Sequence, residues 1–243
     1  MTITGKIHSI ETCGTVDGPG IRYVFFTQGC PFRCLYCHNP DTWSLQGGRE
    51  YSVEALMEDI RKYKPFMAFS GGGVTATGGD PLLQADFVEA LFRACRRENI
   101  HTALDTSGCI SPVKAAGVLS QTDLVLLDIK ALTPEAHKAI TGVQLADPLG
   151  FARHLSEIKK PVWIRYVLIP GLTDTATDLE TLALFLQGLK NIERVELLAF
   201  HKMAEYKWKE LGLDYRLGNV PAADDLLMEK AASIFRRYGL PVR

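Results

Sequence analysis

Short apolar runs alternate with segments of helical periodicity along most of the chain. An apolar or alternating run of about four to eight residues is typical of a strand, and apolar residues spaced three and four apart are typical of an amphipathic helix. Strands are predicted at residues 21–29, 74–79, 101–108, 123–130, 162–171 and 194–201. This alternation predicts an α/β fold with a parallel sheet, built from about six βα units.

Four helical segments stand out by their periodicity: residues 52–64, 85–99, 177–190 and 224–239. The first is expected to begin at Ser52, because a serine hydroxyl caps a helix well and Glu54 and Glu58 follow it. We find no internal repeat, low-complexity tract or long linker, so we expect one domain over residues 1–243. Six units are fewer than the eight of a complete barrel. The sheet is therefore predicted to be either a partial (β/α)6 barrel or an open doubly wound sheet.

Composition narrows the class of protein. The 243 residues include 27 Lys and Arg and 28 Asp and Glu, and the formal net charge of −1 gives no overall field that favours nucleic acid or an anionic membrane. The amino-terminal residues contain no apolar signal region, and no apolar run reaches the ~18 residues needed to cross a bilayer. We expect a cytoplasmic protein.

Polar residues follow the predicted strands at their carboxyl ends, where parallel α/β folds gather their chemistry. These residues are Cys30 after the first strand, Gly78, Gly79 and Asp80 at the second, Asp105 and Thr106 at the third, Asp128 and Lys130 at the fourth, Arg165 within the fifth and His201 at the sixth. Each has an ordinary explanation alone, since a carboxylate at a strand end often caps a helix. Their agreement across five strand ends indicates a functional site.

Three of the six cysteines form a C-x3-C-x2-C segment: Cys30, Cys34 and Cys37. A chain without an export signal is expected to keep its thiols reduced, so these residues are available to a metal. A structural zinc site needs four protein ligands, and the fourth would have to be His38 or the distant Cys13. An iron-sulfur cubane held by three thiolates instead leaves one iron open. We favour the cluster over zinc or a chance spacing.

The other cysteines carry less information. Cys95 lies inside a predicted helix and is expected to be a small buried hydrophobic residue. Cys13 and Cys109 have no assigned role.

The spacing C-x3-C-x-aromatic-C, formed by Cys30, Cys34, Tyr36 and Cys37, resembles the signature of the radical S-adenosylmethionine (radical SAM) enzymes. Six segments, in this order, are similar to the glycyl-radical-enzyme activases within that superfamily: ETCGTVDGPGIR (11–22), CLYCHNPDTW (34–43), GGGVTATGGDPLLQ (71–84), LDTSG (104–108), LLDIK (126–130) and WIRYVLIPG (163–171). The resemblance extends over nearly the whole chain. It implies a partial (β/α)6 barrel of the radical SAM type.

The resemblance also implies an activity. An enzyme of this family cleaves S-adenosylmethionine reductively at a 4Fe-4S cluster, and the resulting 5′-deoxyadenosyl radical abstracts a glycine α-hydrogen from a partner protein under anaerobic conditions. The next cysteine after Cys37 is Cys95, so auxiliary clusters have no ligands there. This favours the compact activases whose partner is pyruvate formate-lyase. Reduced flavodoxin or ferredoxin is the implied electron donor, and we expect a monomer.

The resemblance assigns roles to matching residues in four groups. The implied cluster ligands are Cys30, Cys34 and Cys37, and the implied contacts of S-adenosylmethionine are Tyr36, Cys37, His38, Gly78, Gly79, Asp80, Asp128, Ile129, Lys130 and His201. The implied ligands of a monovalent cation such as Na⁺ or K⁺ are Asp105, Thr106 and Asp128. Asp17 and Arg165 are implied to bind the partner's glycine loop. One position departs from the family, which usually has Gly-Gly-Glu where this chain has Gly79-Asp80. The Asp80 side chain is one methylene shorter than the glutamate of the family. We therefore expect the backbone at this position to contact the amino group of S-adenosylmethionine, and a direct contact by the carboxylate is less expected.

Two other functions are consistent with parts of the pattern. A radical SAM enzyme with a small-molecule substrate shares the cysteine segment, but the DGPG stretch at Asp17 and the lack of an extra substrate domain argue against it. A non-catalytic metal-binding or electron-transfer module would leave Asp128, Lys130 and His201 without a shared purpose.

Overall fold

The computed structural model describes residues 2–145 and 147–243. Its strands are β1 (Thr4–Gly14), β2 (Arg22–Thr27), β3 (Arg49–Ser52), β4 (Gly73–Gly78), β5 (His101–Thr106), β6 (Leu124–Asp128), β7 (Val162–Leu168) and β8 (Ile192–Ala199). Each of the six predicted strands is present, as β2 and β4 to β8. The two additional strands, β1 and β3, were not predicted.

The α-helices are α1 (Val53–Ser70), α2 (Ala85–Arg97), α3 (Pro112–Ser120), α4 (Pro134–Thr141), α5 (Gly150–Glu157), α6 (Ala176–Gln187), α7 (Glu205–Glu210) and α8 (Asp225–Arg237). The four predicted helices correspond to α1, α2, α6 and α8. Ser52 caps α1 as expected, because its hydroxyl accepts a hydrogen bond from the Ala55 amide at 3.1 Å. Two short 3-10 helices span Pro40–Thr42 and Pro81–Gln84.

The strands form one open sheet in the order β3-β1-β2-β4-β5-β6-β7-β8. β1 pairs antiparallel with both β2 and β3, whereas the pairs β2–β4, β4–β5 and β7–β8 are parallel. The predicted α/β class is therefore confirmed. The described part of the chain contains no helix long and apolar enough to span a membrane.

The chain divides into two compact units. The first comprises Met1–Pro31 and Thr42–Leu126, and the second comprises Phe32–Asp41 and Leu127–Arg243. The expectation of a single functional domain stays a prediction.

The core of the first unit forms where alternate residues of β2 face the helices. Tyr23 donates a hydrogen bond to Asp59 of α1 at 2.7 Å, and the Phe25 ring packs edge-on against Phe87 and Phe92 of α2. All three phenylalanines are buried. The even-numbered residues of β2 therefore face the other side of the sheet, where Arg22 meets Thr75 of β4.

The second unit has its own apolar cluster, in which Tyr36 packs with residues that follow β7 and β8. Its buried members are Tyr36, Ala131, Ile140, Ile169, Phe200 and Leu217. α6 contributes a separate buried face through Leu179, Leu182 and Leu186. The aromatic ring of the cysteine segment is thus part of a packed core.

Candidate active site

Cys30 stands at the carboxyl end of β2, where two glycines allow the backbone to pack closely. Gly29 has φ of 102° and its amide donates to the Thr42 carbonyl at 2.7 Å, while the Cys30 amide donates to the Trp43 carbonyl at 3.3 Å. Gly79 follows β4, and a Cβ placed on it would lie 2.0 Å from the Gly29 oxygen. Only glycine fits at position 79. The edge predicted to carry a site is accordingly built from closely packed main chain.

Cys34 and Cys37 belong to the second unit, where hydrogen bonds hold the backbone of the cysteine segment. The Arg33 and Leu35 amides donate to carbonyls at the end of α4, at 2.7 and 3.0 Å, and the Cys37 amide donates to the Cys34 carbonyl at 3.1 Å. The indole Nε1 of Trp208 donates to the Cys37 carbonyl at 2.9 Å. Cys34 is buried and Cys37 is half-buried. Both thiols are therefore carried on a fixed turn.

Asp128, the last residue of β6, forms a shielded ion pair with Lys130. The Lys130 ammonium lies 3.0 Å from Asp128 Oδ2 and 5.5 Å from the centre of the Tyr36 ring. Desolvation opposes the charge of Lys130, but Asp128, together with Tyr36 and Cys34, holds the pKa of Lys130 well above its usual value. Burial raises the pKa of the Tyr36 hydroxyl. Ile129, which lies between Asp128 and Lys130 in the sequence, is buried, and its amide donates to the Arg165 carbonyl at 3.0 Å.

His38 and His201 are brought together in the second unit. Their ring centres lie 4.4 Å apart, and His38 Nε2 lies 3.3 Å from the His201 carbonyl oxygen. Burial, and then the neighbouring His201, lower the pKa of His38, so its ring is neutral at neutral pH. The His201 Nδ1 atom is buried and has no hydrogen-bond partner among the described residues. Such an atom suits a polar ligand group.

Asp105 and Thr106 end β5 in the first unit, and each already has a side-chain partner there. Asp105 Oδ2 accepts a hydrogen bond from Thr77 at 2.7 Å, and the Thr106 hydroxyl donates to the Asp80 carboxylate at 2.9 Å. Ser107, which the sequence analysis did not single out, also donates to Asp80. Their predicted cation role stays a prediction.

Asp17 lies near the opposite, amino end of β2. Its carbonyl accepts a hydrogen bond from the Thr75 hydroxyl at 2.7 Å. Arg22, which is fully buried, donates to Thr75 at 2.5 Å and to the carbonyls of Pro19 and Val74 at 3.0 and 2.7 Å. Arg22 was not predicted as a functional residue, although its place just after the DGPG turn marks it in the sequence. The buried guanidinium of Arg22 thus helps to hold the DGPG turn in place.

Arg165 lies on β7 in a row of charged and aromatic side chains. Its Nε donates to Glu196 Oε2 of β8 at 3.0 Å, and Arg194 donates to Oε1 of the same carboxylate at 3.1 Å. The Arg194 guanidinium in turn stacks 3.6 Å above the Trp163 ring. Glu196 is the residue here that the sequence analysis missed.

The donor chemistry of the cysteine segment fits an iron-sulfur cluster. All six cysteines are thiols, and three of them fall within eight residues. Among residues 2–145 and 147–243, no three His, Cys, Asp or Glu side chains gather closely enough to hold one metal ion. The buried His201 Nδ1 and the Lys130–Asp128 pair likewise fit a zwitterionic, nitrogen-rich cofactor such as S-adenosylmethionine.

The chain is similar in sequence to radical SAM proteins and to activating enzymes of pyruvate formate-lyase. The radical SAM superfamily matches residues 24–186. The chain is 46% identical over 242 residues to the pyruvate formate-lyase 1-activating enzyme of Escherichia coli (strain K12), covering 98% of each chain. It is 48% identical over 236 residues to the pyruvate formate-lyase-activating enzyme of Staphylococcus aureus (strain USA300), covering 94% of each.

Solved structures resemble the fold. A domain of a pyruvate-formate lyase-activating enzyme from Bacteroides vulgatus aligns with a TM-score of 0.60 at 26% identity, covering 71% of this chain and 98% of that one. Streptococcus suis SuiB bound to S-adenosylmethionine aligns with a TM-score of 0.66 at 16% identity, covering 90% of this chain and 48% of that one. The second likeness concerns the fold alone.

Proposed function

This chain belongs to the radical SAM superfamily, and from that premise we propose that it activates pyruvate formate-lyase by generating a glycyl radical on it. One observation carries the proposal: the similarity to the activating enzymes runs over nearly the full length of both chains. Since it spans the cysteine segment, the DGPG turn and the strand-end residues together, it supports a shared reaction as well as a shared fold.

Cys30, Cys34 and Cys37 would hold a 4Fe-4S cluster, which supplies the electron that cleaves bound S-adenosylmethionine to a hydrogen-abstracting radical. The packing supports a fixed ligand geometry, because Trp208 and the end of α4 hold the turn that carries Cys34 and Cys37.

The residues of the second unit would bind and orient the cofactor. Lys130 keeps its positive charge through Asp128, and both can serve the polar end of the cofactor, while Tyr36 and Ile129 supply apolar surface that excludes water. The neutral ring of His38 suits stacking, and His201 Nδ1 can bond to a ring or ribose atom of the adenosyl group. Gly78 and Gly79 would offer close backbone contact in the first unit, and Asp105, Thr106 and Asp128 would hold the monovalent cation.

Asp17 and Arg165 would receive the partner's glycine loop. The buried supports of both residues favour this role: Thr75 and Arg22 hold the turn that carries Asp17, and Glu196 holds the guanidinium of Arg165. The electron donor, a reduced flavodoxin or ferredoxin, the monomeric state and the cytoplasmic location stay predictions.

The proposal is tested by anaerobic incubation of the reconstituted protein with reductant, S-adenosylmethionine and pyruvate formate-lyase, followed by electron paramagnetic resonance. We expect a glycyl radical with the wild-type chain and none with Cys34→Ser, which loses a cluster ligand. Release of 5′-deoxyadenosine without a glycyl radical would indicate a different radical SAM substrate. Neither product would indicate a non-catalytic metal-binding module and overturn the proposal.

A further inference from the structure

The Asp80 carboxylate is almost completely buried, with 1% of the residue exposed, and it faces protein donors. It follows β4 and caps the 3-10 helix Pro81–Gln84, because Oδ1 accepts a hydrogen bond from the Leu82 amide at 3.1 Å. Its own amide is fixed to the Gly29 carbonyl at 2.8 Å. The backbone position of Asp80 is therefore fixed by contacts that do not involve the turn after β5.

The same carboxylate also binds the turn that follows β5. The Thr106 hydroxyl donates to Oδ1 at 2.9 Å and lies 3.1 Å from Oδ2. The Ser107 amide and hydroxyl both donate to Oδ2, at 3.1 and 2.6 Å. The Thr106 hydroxyl in turn accepts from the Gly108 amide at 3.1 Å. One carboxylate thus ties together the segments after β4 and β5.

These contacts use the acceptor capacity of the group. A carboxylate offers about four lone-pair sites, and Asp80 already has four donors: the Leu82 amide, the Thr106 hydroxyl and both donors of Ser107. Turning the carboxylate toward another donor would leave the Ser107 amide without its acceptor, at a cost comparable to a lost buried hydrogen bond. Gly79 allows little backbone adjustment, since it already packs against the Gly29 oxygen.

Resting on the proposed function, we propose that Asp80 is a positioning residue that holds the Thr106–Gly108 turn in place, and that its carboxylate does not bind the amino group of S-adenosylmethionine. The shorter acid of this chain matches Ser107, whose hydroxyl and amide close on it from the neighbouring strand end. Recognition of the amino group then falls to other groups at this edge. Asp80 affects the cofactor through the turn, which carries the Thr106 and Gly108 backbone.

The test compares two ligands, S-adenosylmethionine and its analogue that lacks the amino group, on reconstituted wild-type and Asp80→Asn protein. The amide of the variant has one acceptor oxygen where the carboxylate has two, so it cannot accept all four hydrogen bonds and its hold on the turn weakens. We expect the variant to weaken binding of both ligands by the same factor, about tenfold, measured as dissociation constants by equilibrium dialysis. A loss confined to S-adenosylmethionine, with unchanged binding of the analogue, would show a direct contact and overturn the proposal.

Ser107→Ala gives a second, milder variant, which removes one donor and leaves the acid. This variant should raise the dissociation constants of both ligands by the same factor, and by less than Asp80→Asn does. Asp86→Asn is the matched control, because Asp86 is exposed on the first turn of α2, and it should leave both dissociation constants unchanged.

A readout without cluster or cofactor separates this inference from the proposed function. In the cluster-free chain, amide hydrogen exchange of Ser107 and Gly108 should be about tenfold faster in Asp80→Asn than in the wild type, and unchanged in Asp86→Asn. Unchanged exchange at both amides would contradict the positioning role. Failure of the wild type to bind S-adenosylmethionine would instead count against the proposed function, and the exchange measurement would still decide what Asp80 holds.

Discussion

Arg165 of β7 and Glu196 of β8 stand directly opposite each other on parallel strands, and the Arg165 Nε lies 3.0 Å from Glu196 Oε2. Their side chains are only 9% and 16% exposed, so the pair is shielded from solvent. Glu196 also accepts from Arg194. Because one carboxylate serves two guanidinium groups, Arg165 keeps a fixed direction that a lone arginine would not have.

Glu196→Gln should therefore act through Arg165. We expect the KM for pyruvate formate-lyase to rise about tenfold, because the guanidinium loses its charged partner, while partner-independent formation of 5′-deoxyadenosine stays unchanged. Steady-state activation assays with the partner varied would measure the split. Glu193→Gln, at an exposed position of the same strand, is the control. A loss of cofactor cleavage equal to the loss of activation would show that Glu196 has a different role.

Arg22 is expected to matter for folding as well as for the DGPG turn. Replacing it by Met leaves the carbonyls of Pro19 and Val74 without their donor, and we expect the free energy of unfolding to fall by about 3 kcal/mol. Burial lowers the pKa of Arg22 to about 10, so the group is still charged at neutral pH. Urea denaturation of the cluster-free chain gives the measurement. Arg61→Met, on an exposed ion pair with Glu98, should cost less than about 1 kcal/mol.

His101 beside Arg22 gives a pH dependence with a definite sign. Burial, and then the Arg22 charge, lower the pKa of His101 below its ordinary value of 6.5, while Asp123 opposes the shift. The unfolded chain therefore binds the proton more readily, so stability should fall as the pH drops below about 6.5. His101→Gln should reduce this slope without removing it, because burial also lowers the pKa of His38 and His137. An unaltered slope in the variant would contradict the assignment.

Gly79→Ala should disrupt the edge that carries Cys30. The added Cβ would lie 2.0 Å from the Gly29 oxygen, so main chain must move. We expect a loss of at least about 2 kcal/mol in unfolding free energy and weaker binding of S-adenosylmethionine. Gly188→Ala, at φ of −71° at the end of α6, is the matched control and should be nearly neutral. An unchanged free energy of unfolding in Gly79→Ala would contradict the close packing, and normal cofactor binding would contradict the role of this edge in the site.

The thiols should differ sharply in reactivity. Cys13 is exposed, whereas Cys95 is buried against Met57 and burial raises its pKa to about 12. Iodoacetamide should label Cys13 in the native cluster-free protein and leave Cys95 unmodified until the chain unfolds, as mass spectrometry of peptides would show. Rapid native labelling of Cys95 would mean that α2 opens locally.

The strands with strong apolar patterns could be predicted from the sequence, and β1 and β3 could not. In Thr4–Gly14 only Gly5, Ile7 and Gly14 are buried, so the apolar alternation is weak, and β3 is a polar stretch of four residues, Arg49–Ser52. Both strands form because they pair with an existing edge, which is a tertiary effect. Gly5 is required there, since a Cβ would lie 2.3 Å from the Phe87 ring.

The candidate site divides in the same way. The cysteine segment, Asp128, Lys130 and His201 could be proposed as site residues from the sequence because a motif or a strand end marks each of them, and their roles stay predictions. Cys95 was correctly expected in the core. Ser107, Glu196 and Arg22 were missed, since each has its role through a partner that is distant in the sequence. Such pairings depend on register, which the spacing of residues in one segment does not contain.

The position of the DGPG turn sets a distance scale for the partner. The Asp17 carbonyl is bonded to Thr75, the third residue of β4, and the strand ends at Gly78. Three residues of strand span about 10 Å. If Asp17 holds the partner loop as proposed, that contact lies about 10 Å along β4 from the strand end at Gly78, a span of roughly three extended residues. A partner segment that reaches both this contact and the carboxyl end of β4 would then need at least about three extended residues between the two points.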